Sequence, residues 1–168
     1  MRHLVLARHA KAEAPAPGLA DHQRPLTVKG RDHASAFGKA LGDASLVPDW
    51  VVASDSTRTA QTWKLAATQC HGPAADLRAE LYDTGVDVLL DALRGAPADA
   101  GTILFVGHEP TVSRAAADLA GHGSDTSALK RVAHGLPTGM AAVFDVDGDW
   151  AGLELRALTL TGMLGRGE

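Results

Sequence analysis

His3-Leu4-Val5-Leu6-Ala7-Arg8-His9-Ala10-Lys11 and Thr102-Ile103-Leu104-Phe105-Val106-Gly107-His108-Glu109-Pro110 are two apolar runs of strand length, and each stops on a histidine. Short apolar runs bounded by polar residues, glycine and proline read as strands buried on both faces, as in a parallel sheet. In open α/β sheets, ligands bind just outside the carboxyl ends of the strands. Two histidines and an arginine at that edge are the side chains a phosphate-handling site needs.

Working outward, Ala14-Pro15-Ala16-Pro17-Gly18 is a loop, because the prolines fix φ and exclude helix. Thr27 is an N-cap for a helix over residues 27–42, with Val28, Ala36, Phe37 and Leu41 as inward positions and Gly30 weakening its first turn. A second strand is expected at 49–54 and a helix at 56–69, broken by Gly72-Pro73. A short segment at 77–82 leads to a helix at 86–93. The strand at 103–106 precedes a helix at 110–120, whose first position suits Pro110. After a loop at 121–127, strands at 139–146 and 150–158 are read as a hairpin around Asp147-Gly148-Asp149. Val143, Phe144 and Trp150 on this hairpin suit either the core or a contact surface. The alternation predicts an α/β fold: a three-layer α/β/α sandwich with a mainly parallel sheet and an antiparallel edge hairpin.

The chain has 168 residues, 45% hydrophobic and 21% charged, which fits a single domain over 1–168. Its net charge of −4 gives no support for nucleic acid as a partner. No apolar run reaches the length of a membrane span. Residues 4–7 are too short for the apolar core of a secretory leader, so a cytoplasmic location is expected. One cysteine, Cys70, excludes an intrachain disulfide and a cysteine-based zinc site.

Three strand-to-helix junctions carry the candidate chemistry: Arg8-His9, Arg58 and His108. A cation in the first turn of a helix opposes the helix dipole. A bound anion reverses that balance, because the helix N-terminus and the guanidinium then attract it together. Taken singly, each arginine reads as a solvated charge and each histidine as a turn residue satisfied by a carbonyl. Taken together they describe an anion site. Metal binding ranks lower: there is no His-Glu-x-x-His spacing, no carboxylate cluster accompanies either histidine, and the arginines repel a cation.

Four segments resemble a known family. Leu6-Ala7-Arg8-His9-Ala10 is similar to the Arg-His-Gly signature of the histidine phosphatase superfamily, with alanine for glycine. That exchange requires a negative φ, or a slightly altered approach, at Ala10. Arg24-Pro25-Leu26-Thr27-Val28-Lys29-Gly30, Ser54-Asp55-Ser56-Thr57-Arg58-Thr59-Ala60-Gln61-Thr62 and Val106-Gly107-His108-Glu109-Pro110 resemble its other motifs, in the family's order. Length and the Arg-Pro-Leu-Thr form look most like the short SixA-type phosphohistidine phosphatases.

The resemblance implies a phosphoglycerate mutase-like fold and a metal-independent phosphatase with no cofactor. It implies that His9 attacks phosphorus and becomes a phosphohistidine intermediate, which water hydrolyses. Arg8, Arg58 and His108 would hold the non-bridging oxygens, with His108 most useful as a cation. Related enzymes place a glutamate before a glycine after the second helix, which makes Glu80 the candidate general acid. The plainer reading of Glu80 is a surface residue or a partner of Arg78. Glu109 and Asp83 are weaker rivals, and an imidazole leaving group tolerates the lack of an acid. Arg24 is either a substrate contact at the site mouth or half of a loop ion pair.

No segment is long enough for a lid. An open site suits a phosphorylated protein carrying phosphohistidine, with a small phosphoester as the other substrate class. The alternatives are a broad-specificity phosphomonoesterase, a phosphoglycerate mutase-like enzyme, which must shield its phosphoenzyme from water, and a non-catalytic phosphate-binding domain.

Overall fold

A computed structural model describes residues 1–166. Six strands form one sheet in the order β3-β2-β4-β1-β5-β6. The strands are β1 (Arg2–Arg8), β2 (Trp50–Ser54), β3 (Asp76–Arg78), β4 (Thr102–Gly107), β5 (Met140–Val146) and β6 (Thr159–Gly165). β1, β2, β3 and β4 run parallel, and β5 and β6 add an antiparallel edge. The helices are α1 (Val28–Asp43), α2 (Thr57–Cys70), α3 (Val86–Arg94), α4 (Thr111–Leu119) and α5 (Thr126–Ala133).

The pleat sorts the central strands onto two cores, because successive side chains point to opposite faces. Val5, Ala7, Leu104 and Val106 pack with Phe37 and Leu41 of α1 and with Trp63 and Ala66 of α2. Leu4, Leu6, Ile103 and Phe105 pack with Leu89 and Leu93 of α3, Val112 and Ala116 of α4, and Val132 of α5. This is the expected α/β/α sandwich.

Two glycines set how α1 lies. A Cβ on Gly38 would sit 2.1 Å from the Ala66 carbonyl oxygen, so glycine lets α1 press on α2. A Cβ on Gly30 would sit 2.0 Å from the Lys11 carbonyl oxygen. Gly30 therefore admits the chain that leaves β1, rather than simply weakening a helical turn. Thr27 caps α1 as expected, accepting from the Gly30 N–H at 2.9 Å. Val28 does not face inward. It is 79% exposed, Ala36 is only half-buried, and the buried stripe is Gly30, Ala34, Phe37, Gly38 and Leu41.

The edge differs from the expected hairpin. The segment read as a second strand at 150–158 begins instead with a 3-10 turn at Trp150–Gly152, and β6 starts at Thr159. Trp150 is buried, and its indole N–H donates to the Ala100 carbonyl at 2.8 Å. Arg94 donates twice to the Leu153 carbonyl, and Arg156 N–H and Leu158 N–H donate to Asp118 and Leu119. The connection is thus stitched to α3 and α4 before the chain returns to the sheet. Val143, Phe144 and Trp150 are all core.

Helix α5 falls where only a loop and unassigned chain were expected. Asp125 caps it, accepting from Ala128 N–H at 2.7 Å, and only Ala128 and Val132 are buried. Two inward positions are too few to show a period. Pro110 occupies the N-cap of α4 rather than its first turn. Among the described residues no helix is long and apolar enough to cross a membrane.

Candidate active site

The carboxyl ends of β1, β2 and β4 deliver Arg8-His9, the Ser54–Ser56 turn and His108 to one edge. The His9 and His108 rings lie 5.3 Å apart between centroids. His9 is 7% exposed, and its Nδ1–H donates to the Ala10 carbonyl at 2.7 Å. That bond fixes the tautomer and leaves Nε2 with a free lone pair. The backbone around it is held on three sides. His9 N–H donates to Gly107, Gly139 N–H donates to the His9 carbonyl, and Ala10 N–H donates to Thr62 Oγ1.

Ala10 itself is fully buried in a small cluster with Leu26 and Ala34. It is not among the residues with positive φ. The methyl group is accommodated, and the exchange of glycine for alanine costs no backbone strain.

Arg58 is the second residue of α2, whose N-cap Ser56 accepts from Thr59 N–H. It is only 6% exposed. Its guanidinium donates to the Asp21 carbonyl (2.8 Å) and to the Asp21 carboxylate (3.2 Å), and it lies over the Tyr82 ring. Arg8 donates to the Leu136 carbonyl at 2.9 Å. Three buried nitrogens in this group have no protein partner: Arg8 Nε, Arg58 Nε and His108 Nδ1. Buried polar atoms are rarely left so, and an anion held between the guanidiniums would satisfy them.

Burial lowers the His9 pKa to about 4, with Arg58 and Arg8 pushing the same way. Burial, then the neighbouring His9 and Arg58, lower His108 to about 3. Both rings are therefore neutral near pH 7. In the free protein His108 is not the cation expected of it, chiefly because burial disfavours its charged form, with His9 and Arg58 adding to that. A bound dianion would raise its pKa.

A cavity of about 290 Å³ opens beside His108 and is lined by Asp21, Arg58, Tyr82, Asp83, His108 and Glu109. Asp21 and Tyr82 carry no motif that marks them in the sequence. Asp21 lies in a 3-10 turn (Asp21–Gln23) within the proline-bearing loop, and no local pattern marks it. Its carboxylate accepts from Tyr82 Oη–H, Arg24 and Arg58, and these bonds hold its pKa well below the usual carboxylate range.

Arg24 makes the loop ion pair of its plainer reading, with Asp21 at 2.9 Å, and also donates to the Glu13 carbonyl. Its charge still contributes to lowering the His9 pKa. Glu80 lies exposed in the 3-10 turn Ala79–Leu81; the cavity wall from this segment is Tyr82 and Asp83 instead. Arg78 pairs with Asp76, not Glu80. Glu109 spends its carboxylate on Ser113 N–H, Ser113 Oγ–H and Leu136 N–H. Among the described residues, no group of three or more His, Cys, Asp or Glu side chains is disposed to hold a metal ion.

Residues 4–89 match the family described as the Histidine phosphatase superfamily (branch 1). The chain belongs to the histidine phosphatase superfamily. An uncharacterized protein of Mycobacterium tuberculosis is 36% identical over 156 residues, covering 92% of this chain and 96% of that one. Among solved structures, a protein from Nakamurella multipartitia assigned provisionally as phosphohistidine phosphatase SixA is 34% identical, with a TM-score of 0.85, covering 96% of this chain and 94% of its own. A protein histidine phosphatase SixA complexed with tungstate shares the fold at 20% identity and a TM-score of 0.78, over 98% of this chain and 97% of its own. The fold is phosphoglycerate mutase-like, the branch is the SixA type, and the protein is a phosphatase.

Proposed function

We propose that this phosphatase removes the phosphoryl group from phosphohistidine on a partner protein, with His9 as nucleophile. The observation that carries the reading is the pairing of the free His9 Nε2 lone pair with unpartnered buried nitrogens on Arg8, Arg58 and His108. In the first step His9 Nε2 bonds to phosphorus as the bond to the substrate nitrogen breaks. In the second, water bonds to phosphorus, the bond to His9 breaks, and inorganic phosphate leaves. Arg8, Arg58 and His108 hold the non-bridging oxygens through both displacements, where positioning and charge stabilisation do most of the catalysis.

The cavity offers the leaving group no free acid from Asp21, Glu80 or Glu109. Asp21 stays a carboxylate and cannot supply a proton; Glu80 lies off the cavity wall; Glu109 is engaged with α4. An alkoxide leaving group needs an acid, whereas a phosphoimidazole leaves as a neutral ring when its distal nitrogen already carries a proton. The acidic wall of Asp21, Asp83 and Glu109 also disfavours phosphoesters with a second negative charge, such as phosphoglycerate.

The test compares turnover of a phosphohistidine protein, p-nitrophenyl phosphate and phosphoglycerate, and looks for an acid-labile, alkali-stable phosphoryl label. The label is expected on wild type and absent from His9→Ala, with turnover lost on the order of 10³-fold or more. A preference for phosphoglycerate would overturn the substrate assignment. Failure to acquire any label or to turn over any of the three would favour a phosphate-binding domain.

A further inference from the structure

Beside the reactive pocket lies a buried polar strip that takes no part in the proposed reaction. Ser54 at the end of β2, with Ser56 and Thr59 at the start of α2, has zero exposure, as do the other two. Their hydrogen bonds order the protons one by one. Thr59 has one hydroxyl proton, and two backbone carbonyls lie within its reach, Ser54 at 2.7 Å and Ser56 at 3.0 Å. With that proton on a carbonyl, Ser56 Oγ donates to Thr59 Oγ1 at 2.6 Å, and it lies 3.5 Å from His108 Nε2, farther than Ser54 Oγ. Ser54 Oγ accepts from Ser56 N–H at 3.2 Å. Its own proton has one acceptor within reach among the described residues, His108 Nε2 at 2.9 Å.

We propose that Ser54 is a positioning residue: by donating to His108 Nε2 it keeps the ring proton on Nδ1, so that neutral His108 offers an N–H to the phosphoryl group. The two imidazoles then act in opposite senses. His9 turns its proton to a carbonyl and presents a lone pair; His108 takes a proton bond at its back and presents an N–H. The reverse tautomer of His108 would leave the buried Ser54 hydroxyl without an acceptor and turn the Nδ1 lone pair toward the anion, and each of these is costly. A neutral donor also spares the pocket a third positive charge beside Arg8 and Arg58. The groups that bear on the His108 ring are His9, Arg58, Arg8 and Asp21, with the Tyr82 ring packed edge-on at 5.4 Å. Only Asp21 favours the cation, and it is already engaged by Tyr82, Arg24 and Arg58.

The role of His108 toward phosphate rests on the proposed function, but its tautomer does not, so the two fail separately. The experiment is long-range ¹H–¹⁵N correlation on the full-length, ¹⁵N-histidine-labelled protein at pH 7, with the His108 ring assigned from His108→Asn. Wild type is expected to show a protonated Nδ1 and a bare Nε2 at His108. An imidazolium, or a proton on Nε2, overturns the proposal. Binding of tungstate, titrated from pH 6 to pH 9, gives the second readout. Wild-type affinity is expected to stay nearly flat, whereas Ser54→Ala should weaken it about tenfold at pH 9 and recover toward pH 6 as His108 takes up a proton. Ser54→Thr, which keeps the hydroxyl, should restore the flat profile. A pH-independent loss in Ser54→Ala, unrescued by threonine, overturns the positioning role.

Discussion

His9 and His108 face each other across 5.3 Å with their ring planes tilted by 55°, and burial keeps both uncharged. The positive charge packed against the two rings therefore comes from Arg8 and Arg58. As neutral rings, neither imidazole adds to the repulsion between the guanidiniums, and in the proposed reaction they would serve as a nucleophilic lone pair and a hydrogen-bond donor.

The first prediction concerns stability against pH. The His9 pKa is depressed on folding, so its contribution is present above about 6.5 and is lost as pH falls toward about 4. Over that window the unfolded chain binds a proton that the native state refuses. The loss attributable to His9 is roughly 3 kcal/mol. Urea denaturation at pH 7 and pH 4.5 should show this decline, and His9→Gln should reduce it.

The second concerns Arg58. Its fork is held by both the carbonyl and the carboxylate of Asp21, a geometry that a lysine ammonium cannot reproduce. Arg58→Lys should keep the charge and still lower kcat/KM by on the order of 10²-fold. Steady-state turnover of p-nitrophenyl phosphate checks this, and an unchanged kcat/KM would remove Arg58 from the reaction.

Asp21→Asn separates charge from shape. Asparagine still accepts from Tyr82 and Arg58, but it no longer opposes an incoming anion. Competitive inhibition by inorganic phosphate should tighten by about threefold to tenfold, corresponding to roughly 1 kcal/mol for one charge at a half-exposed site. The discrimination against phosphoglycerate should shrink in parallel. Weaker phosphate inhibition would mean that Asp21 matters chiefly for holding Arg58 in place.

The fourth compares two glycines of one helix. Gly30→Ala drives a methyl group into the Lys11 carbonyl, whereas Gly42→Ala, near the end of α1, meets nothing within 4 Å. The first should cost about 2 kcal/mol and the second should gain about 0.5 kcal/mol. Thermal or urea denaturation of both variants measures the difference directly.

Residues 1–110 declared most of this protein through local chemistry. The apolar runs at 3–8 and 102–107 read as buried strands from their length and their polar bounds, and Thr27 caps a helix through its own side chain. The order of strands and helices, and the arrival of Arg8, His9, Arg58 and His108 at one sheet edge, followed from that alternation. The rest depended on contacts distant in sequence. Trp150 reads as strand until Ala100 is found waiting for its indole N–H, and α5 has too few buried positions to announce itself. Gly30 is explained only by Lys11. Asp21 gains its meaning from Arg58 and Tyr82, and Ser54 from His108, partners brought near by the fold. The sequence determined which side chains reach the edge, because periodicity and capping act within a few residues. Tertiary structure decided their protonation and their partners, because desolvation and hydrogen bonding depend on what the rest of the chain places around them.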